Sequence, residues 1–124
     1  MTELSAAPPR IAIVDDDEDV RIALEALVSS VGFIAEAFES GDALLASERL
    51  ASFSCVVTDL QMPGINGLTL AREIRRDHAV PIILITAFPA PGLKQQASAA
   101  GVSCLLRKPF NPSALLEELD TLLR

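Results

Sequence analysis

The sequence contains no tryptophan, no tyrosine, a single histidine and only two cysteines. Cys55 and Cys104 lie far apart in separate apolar runs, which excludes the disulfide framework of a small secreted domain. Both are expected to be free thiols in the core of a protein that works in a reducing compartment.

Positive charge is also scarce. Ten Lys and Arg residues stand against seventeen Asp and Glu residues, and the net charge is −7. Because nucleic acids and anionic membranes are bound through Lys and Arg, we expect neither kind of partner for this chain alone.

Long apolar runs are missing as well. No stretch approaches the roughly 20 apolar residues that a membrane helix needs. Residues 1–9 lack the charged start and the apolar centre of a signal peptide. The expected location is therefore the cytoplasm.

What the sequence does contain is a regular alternation of short apolar runs and longer amphipathic ones. Residues 1–9 are interpreted as a flexible leader, and residues 10–124 have the length of one domain. Five β–α units in a row predict an α/β fold, in which helices cover both faces of a parallel sheet. The predicted strands cover 11–14, 33–38, 54–58, 82–86 and 102–106, and the predicted helices cover 18–31, 41–50, 68–76, 93–100 and 112–124.

Polar side chains follow four of the five predicted strands. Asp15 and Asp16 come after the first strand, Asp59 after the third, Thr86 after the fourth and Lys108 after the fifth. In an open parallel sheet these positions share one edge, where ligands bind. The three carboxylates and the ammonium group sum to −2, which a divalent cation would neutralise. Oxygen ligands favour Mg²⁺.

The same residue types suit phosphoryl transfer. A carboxylate such as Asp59 can act as a nucleophile toward phosphorus. Lys108 offers a point charge, and Thr86 a hydroxyl donor, to phosphoryl oxygens. Taken singly, the Asp run could only start a helix, Asp59 could form a turn, Thr86 could cap a loop and Lys108 could be a surface lysine. Because all of them follow strands of the same predicted sheet, a single shared site is favoured.

The chain contains a series of short motifs: Ile13-Val-Asp-Asp16, Val57-Thr-Asp-Leu-Gln-Met-Pro-Gly64, Gly67, Ile85-Thr-Ala87, Ala100-Gly101 and Lys108-Pro-Phe110. In this order they resemble the receiver domains of bacterial response regulators, and the resemblance extends from Arg10 to Arg124. The string Thr-Asp-Leu-x-Met-Pro with x-x-Gly, and the late Lys-Pro-Phe, look most like receivers of the nitrogen-fixation regulator type.

This resemblance implies a doubly wound, flavodoxin-like (βα)5 fold with strand order 2-1-3-4-5. It implies that Asp59 is phosphorylated by a sensor histidine kinase or a histidine phosphotransfer protein, and that the receiver catalyses the transfer and the later hydrolysis itself. Mg²⁺ would be held by Asp16 directly, by Asp15 through water, by Asp59, and by the backbone carbonyl of Gln61.

The resemblance also implies how the signal is passed on. Thr86 would move toward the phosphoryl group, Lys108 would pair with it, and the Lys108–Pro109 peptide would be cis. The change would reach the face formed by the fourth helix, fifth strand and fifth helix, through which the protein could also form a homodimer. One position departs from the family, because Leu105 replaces the usual switch aromatic. Phe88 is a candidate to take part in its place.

Two other functions fit some of the same residues. Asp15 and Asp17 have the spacing of a haloacid-dehalogenase-like phosphatase, although the chain is short for that fold. A receiver-fold module that only binds a partner, without phosphorylation, is the other rival. His78 is expected to be exposed and to have no role in phosphotransfer. Leu116 and Leu123 either widen the buried stripe of the last helix or form a seam that faces a partner.

Overall fold

A computed structural model describes residues 7–123 of the chain. All neighbouring strands are parallel, and their order is β2-β1-β3-β4-β5, which confirms the predicted fold. Most of the predicted leader, residues 1–6, lies outside the described residues, as does Arg124. The strands are β1 (Arg10–Val14), β2 (Ile34–Phe38), β3 (Cys55–Asp59), β4 (Ile82–Thr86) and β5 (Cys104–Arg107). The helices are α1 (Glu18–Ser29), α2 (Gly41–Leu45), α3 (Gly67–Asp77), α4 (Leu93–Ala99) and α5 (Pro112–Leu123).

Helices cover both faces of the sheet, as predicted. On one face α1 and α5 bury Leu24, Val28, Leu115 and Leu119 against the strands. On the other face α2, α3 and α4 pack on the same strands around a second cluster that includes Ile74. The central strands therefore have no exposed face, which explains their unbroken apolar runs. No helix among residues 7–123 is long and apolar enough to cross a membrane.

Helix α2 is shorter than predicted. It ends at Leu45, and only a turn of 3-10 helix at Leu50–Ser52 follows before β3. The amide of Ser47 donates to the carbonyl of Leu44, at 3.0 Å, which tightens the last turn and stops the helix. The prediction of a helix to residue 50 was therefore wrong.

The fifth strand also begins later than predicted. The amide of Val102 donates to the carbonyl of Ala97 at 2.9 Å, so it closes the end of α4 instead of joining the sheet. Gly101, whose φ is 87°, turns the chain between α4 and β5. At the end of α1 the helix stops at Ser29, and Val31, predicted to be helical, lies beyond it with half of its surface exposed.

Two smaller predictions need correction. Cys55 is fully buried, but Cys104 is only partly buried, so only the first is a core thiol. Burial raises the pKa of Cys55 to about 12 and that of Cys104 to about 11, so both thiols stay protonated and unreactive at neutral pH. His78 is partly buried, not exposed. Leu116 and Leu123 both pack against the cluster under α1 and α5 and widen its buried stripe.

Candidate functional site

Four of the five polar residues predicted to converge, Asp15, Asp16, Asp59 and Lys108, meet at the carboxyl edge of the sheet. Carboxylate oxygens of Asp15, Asp16 and Asp59 lie within 4.8 Å of one another, a grouping that could hold a metal ion. The ammonium group of Lys108 lies 3.3 Å from Oδ1 of Asp59 and 3.7 Å from Oδ2 of Asp15. The strand order brings them together, because β1 and β3 are neighbours at the centre of the sheet.

Asp15 is held rigidly at the end of β1. It is only 3% exposed, and its Oδ1 accepts a hydrogen bond from the amide of Asp17 at 2.9 Å. Its own amide donates to the carbonyl of Phe38, and its carbonyl accepts from Nη1 of Arg21 at 2.8 Å. Arg21 was not among the site residues predicted from the sequence. Arg21 lies one turn into the helix that follows the Asp run, and this position is the sequence feature that could have identified it.

Asp17 does not belong to the carboxylate cluster. Its side chain caps α1 by accepting from the amides of Asp19 and Val20, at 2.9 and 3.3 Å. A phosphatase of the rival type would need this carboxylate as an acid beside Asp15. The capping role therefore argues against that alternative.

Asp59 ends β3 in a crowded position with its side chain 12% exposed. The loop that follows is closed by the amide of Gly67, which donates to the carbonyl of Leu60 at 2.8 Å. A Cβ atom on Gly67 would lie 2.5 Å from the carbonyl oxygen of Asp59 and 2.6 Å from Cδ1 of Leu84. Only a glycine lets α3 start this close to the strand. Gly67 appeared in the sequence as a motif residue, but its contact was not foreseen.

The pKa of Asp59 is raised above its ordinary value. The largest cause is burial, which penalises the charged form, and the nearby carboxylate of Asp15 adds to it. Lys108 acts in the opposite direction through its charge and hydrogen bond, and Asp16 raises the pKa again. The single ammonium group therefore does not neutralise the cluster, and a net charge of −2 remains from three carboxylates and one cation.

We expect the variant Asp59→Asn to be more stable than the wild type when no divalent cation is present. A group whose pKa is raised by folding contributes stability below its ordinary pKa, and that contribution is lost as the pH rises through the raised value. At neutral pH the ionised Asp59 thus costs stability, and its removal should raise the free energy of unfolding.

Urea unfolding followed by circular dichroism, with a chelator present, measures this difference. It should shrink in acid and also when Mg²⁺ is added to both proteins. An Asp59→Asn protein that is less stable than the wild type at neutral pH would contradict the electrostatic account. Glu48→Gln, which removes an exposed carboxylate outside the cluster, serves as the control.

Thr86 and Lys108 are linked through the backbone. Thr86 is 1% exposed, and its hydroxyl oxygen accepts a hydrogen bond from the amide of Phe88 at 3.1 Å. The amide of Lys108 donates to the carbonyl of Thr86 at 2.8 Å, and the Lys108–Pro109 peptide is cis, as the resemblance implied. The ring of Phe88 is 70% exposed, while Leu105 packs, partly buried, on the face covered by α4.

Comparison with known proteins places these features in a family. Residues 11–120 match the family model described as the response regulator receiver domain. Protein PetR of Rhodobacter capsulatus is 38% identical over 123 residues, which cover 98% of this chain and 51% of PetR. The transcriptional regulatory protein FixJ of Bradyrhizobium diazoefficiens is 31% identical over 115 residues, which cover 92% of this chain and 56% of FixJ. The chain thus spans about half the length of these curated relatives.

Solved structures of response regulators are similar to this chain. The chemotaxis protein CheY4 of Vibrio cholerae has a TM-score of 0.85 at 29% identity, covering 94% of this chain and 100% of its own. The response regulator TrrA of Thermotoga maritima, in complex with Mg²⁺ and BeF, has a TM-score of 0.82 at 31% identity, covering 93% of this chain and 99% of its own. FixJ is one of several regulator types that match, so the nitrogen-fixation subtype has only loose support. The chain belongs to the receiver domain family of two-component response regulators.

Proposed function

We propose that Asp59 is the phospho-acceptor of this receiver, and that the donor is a phosphohistidine on a sensor histidine kinase or a histidine phosphotransfer protein. The observation that carries the proposal is the position of the Asp59 carboxylate. It lies within 4.8 Å of two further carboxylates and 3.3 Å from the ammonium group of Lys108. A nucleophile, a cluster of oxygen ligands and a cation for the phosphoryl group therefore lie in one place.

In the proposed transfer, an oxygen of Asp59 forms a bond to phosphorus while the bond from phosphorus to the donor imidazole nitrogen breaks. The imidazole takes up a proton as it leaves. Lys108 lies close enough to Asp59 to contact an oxygen of the transferred group and to offset its charge. Little covalent chemistry is needed from the protein beyond positioning and charge neutralisation.

The donor atoms also fit a magnesium ion. Asp15, Asp16 and Asp59 supply carboxylate oxygens, and the backbone carbonyl of Gln61, in the loop after β3, would complete the protein ligands. The group charge of −2 calls for a divalent cation, and the oxygen-only donor set favours a hard one. When bound, Mg²⁺ would neutralise charge on the carboxylates and on phosphoryl oxygens. Asp15, which is buried and hydrogen-bonded, would keep this site in shape before the ion arrives.

The proposed switch starts at Thr86. Its hydroxyl would leave the amide of Phe88 and donate to the phosphoryl group, while Lys108 pairs with another oxygen. Such a change of partners biases a loop and helix between two arrangements. The altered surface would be the face of α4, β5 and α5, which could also form a homodimer. The receiver would hydrolyse its own aspartyl phosphate, and Phe88 would assist the switch in place of an aromatic at Leu105.

The receiver unit would extend over residues 10–124, after a leader at 1–9, and would act in the cytoplasm. It would not bind nucleic acid by itself, because its net charge is −7. Any transcriptional output, as in the transcriptional regulatory protein FixJ, would need a further domain.

Incubation with acetyl phosphate and Mg²⁺ tests the proposed function. We expect one labile phosphoryl adduct by mass spectrometry of the intact protein, mapped to Asp59 after trapping by borohydride reduction. Asp59→Asn and a sample with excess EDTA should both remain unmodified. A stable adduct at another residue, or labelling of Asp59→Asn to the same extent, would overturn the proposal. A complete lack of labelling, together with no response to Mg²⁺ and beryllofluoride, would favour the module that only binds a partner.

A further inference from the structure

Asp16 differs from the other two members of the carboxylate cluster in how it is held. Both oxygens of Asp15 have a partner, since Oδ1 accepts from the amide of Asp17 and Oδ2 lies 3.7 Å from Nζ of Lys108. Asp59 is paired with the same ammonium group at 3.3 Å. Asp16, by contrast, is exposed, and within the described part of the chain its carboxylate takes part in no hydrogen bond or ion pair. The backbone that carries Asp16 is therefore the main constraint on where this carboxylate lies.

Arg21 holds that backbone. Its Nη1 donates to the carbonyl oxygen of Asp15 at 2.8 Å, the length of a charge-assisted hydrogen bond. The carbonyl belongs to the peptide group that joins Asp15 to Asp16, and a peptide group is planar. A bond that holds the oxygen therefore also holds the amide and the Cα atom of Asp16. Arg21 thus acts, through the main chain, on the position of a proposed magnesium ligand.

The carbonyl oxygen of Asp15 depends on this bond. Asp15 follows the last residue of β1, and within the described residues its carbonyl accepts from no backbone amide. The residue is only 3% exposed, and a buried carbonyl oxygen needs a partner. One consequence of the Arg21 side chain is therefore stability, whatever its effect on the site.

Charge pairing does not explain where Arg21 binds. Five consecutive acidic residues, 15–19, precede it closely in the sequence. Arg21 nevertheless forms no ion pair within the described part of the chain, and its guanidinium donates to a main-chain oxygen instead. A surface ion pair would contribute little, whereas a bond to a carbonyl orients a whole peptide group.

We propose that Arg21 is a positioning residue of the magnesium site, and that it holds the Asp15–Asp16 peptide so that the carboxylate of Asp16 meets the ion. The inference rests on the proposed function, since it takes the carboxylate cluster as the magnesium site. Replacement of groups that orient metal ligands through hydrogen bonds commonly costs about ten- to a hundredfold in metal affinity. Because Arg21 acts on Asp16 through one peptide group, we expect the lower end, about tenfold.

Charge alone predicts a change of the opposite sign. Arg21 is a cation beside a site that would bind a cation, so the removal of its charge would favour Mg²⁺. The side chain is partly exposed, and salt and water screen an effect of that kind. A loss of Mg²⁺ affinity on replacement of Arg21 would therefore identify positioning as the stronger effect.

Titration with MgCl₂, followed through backbone amide shifts by NMR, tests the proposal, because the chain has no tryptophan or tyrosine to report binding by fluorescence. Arg21→Met keeps the apolar stem and loses the donor, and its dissociation constant should rise about tenfold. Arg21→Lys keeps a donor, and its constant should lie between those of the wild type and of Arg21→Met. Arg72→Met removes a cation from an exposed position on α3, and its constant should stay within about twofold of the wild type.

Phosphorylation by acetyl phosphate separates positioning from direct catalysis. With Mg²⁺ well below saturation, the rate in Arg21→Met should be about tenfold lower than in the wild type, and saturating Mg²⁺ should restore it. Urea unfolding with a chelator present measures the loss of stability separately. If Arg21→Met does not fold, Arg21→Gln, whose side chain is too short to reach the same oxygen, takes its place.

Three results would overturn this role. An unchanged or lower dissociation constant in Arg21→Met, with a loss of stability alone, would leave Arg21 a purely structural residue. A rate that stays low at saturating Mg²⁺ would make Arg21 a contact of the reacting group. An equal loss of affinity in Arg72→Met would assign the effect to net charge. A wild type that does not respond to Mg²⁺ is a distinct failure, because it would remove the proposed magnesium site and the role of Arg21 with it.

Discussion

Replacement of Gly67 by alanine is expected to lower the free energy of unfolding by about 3 kcal/mol, at the upper end of the cost of overpacking. The added Cβ would meet the carbonyl oxygen of Asp59 at 2.5 Å, Cδ1 of Leu84 at 2.6 Å and Cα of Leu60 at 3.1 Å. Two of these atoms belong to the backbone and cannot rotate away. The start of α3 or the end of β3 must therefore shift.

That shift should also reach the candidate site. Asp59 would be displaced relative to Lys108, and phosphorylation by acetyl phosphate should slow even in the folded fraction of Gly67→Ala. Urea unfolding by circular dichroism measures the first effect, and labelling at low temperature, where the variant is folded, measures the second. A variant within about 0.5 kcal/mol of the wild type would show that the contact relaxes at little cost.

Gly32→Ala is the matched control for this experiment. Gly32 has a φ of 95°, but a Cβ there would have no heavy atom within 4 Å. Its cost should come from the left-handed backbone alone, about 1 kcal/mol, with no change in phosphorylation. Comparison of the Gly67→Ala and Gly32→Ala variants thus distinguishes steric crowding at the site from backbone strain far from it.

Replacement of Lys108 by alanine is expected to slow phosphorylation of Asp59 about a hundredfold, the scale seen when one preorganised charge contact is lost. Lys108 is the cation that bridges Asp15 and Asp59, at 3.7 and 3.3 Å. Without it the three carboxylates keep their full charge of −3, and the pKa of Asp59, which Lys108 lowers, should rise further. Less of the nucleophile would then be ionised at a given pH.

The same substitution should change the pH dependence. The rate of phosphorylation should decrease on acidification in both proteins, because protonated Asp59 is not a nucleophile. Because the pKa of Asp59 rises in Lys108→Ala, this decrease should begin at a higher pH in the variant than in the wild type. Rates of adduct formation across a pH series, at saturating Mg²⁺, provide the measurement. The chain contains only one other lysine, Lys94, which is exposed on α4. Lys94→Ala should therefore behave as the wild type, and equal rates for Lys108→Ala would remove Lys108 from the mechanism.

The sequence was sufficient to predict the fold and the meeting of Asp15, Asp16, Asp59 and Lys108 at one edge of the sheet. Buried strands of a parallel sheet need apolar residues on both faces, so their runs stand out from the amphipathic helices between them. The residue that follows each strand then lies at one edge, whatever the details of packing. That geometry is why Asp15, Asp59 and Lys108 could be grouped without coordinates.

Other features depended on distances between segments that are remote in the chain. Ser47 stops α2 through a hydrogen bond that the helical spacing of residues 41–50 does not reveal. Cys104 sits in an apolar run but in the edge strand β5, where burial is incomplete. Arg21 reaches back to the carbonyl of Asp15, and no residue pattern identifies that acceptor.

By itself, then, the sequence determined the alternation of strands and helices, the edge at which the charged residues gather and the sum of their charges, because each follows from local periodicity and residue type. Only the tertiary structure decided that Gly67 must approach Asp59 so closely and that Asp17 caps a helix instead of joining the cluster. These features arise from the packing of elements against one another, and packing is set by the whole sheet, not by any one segment.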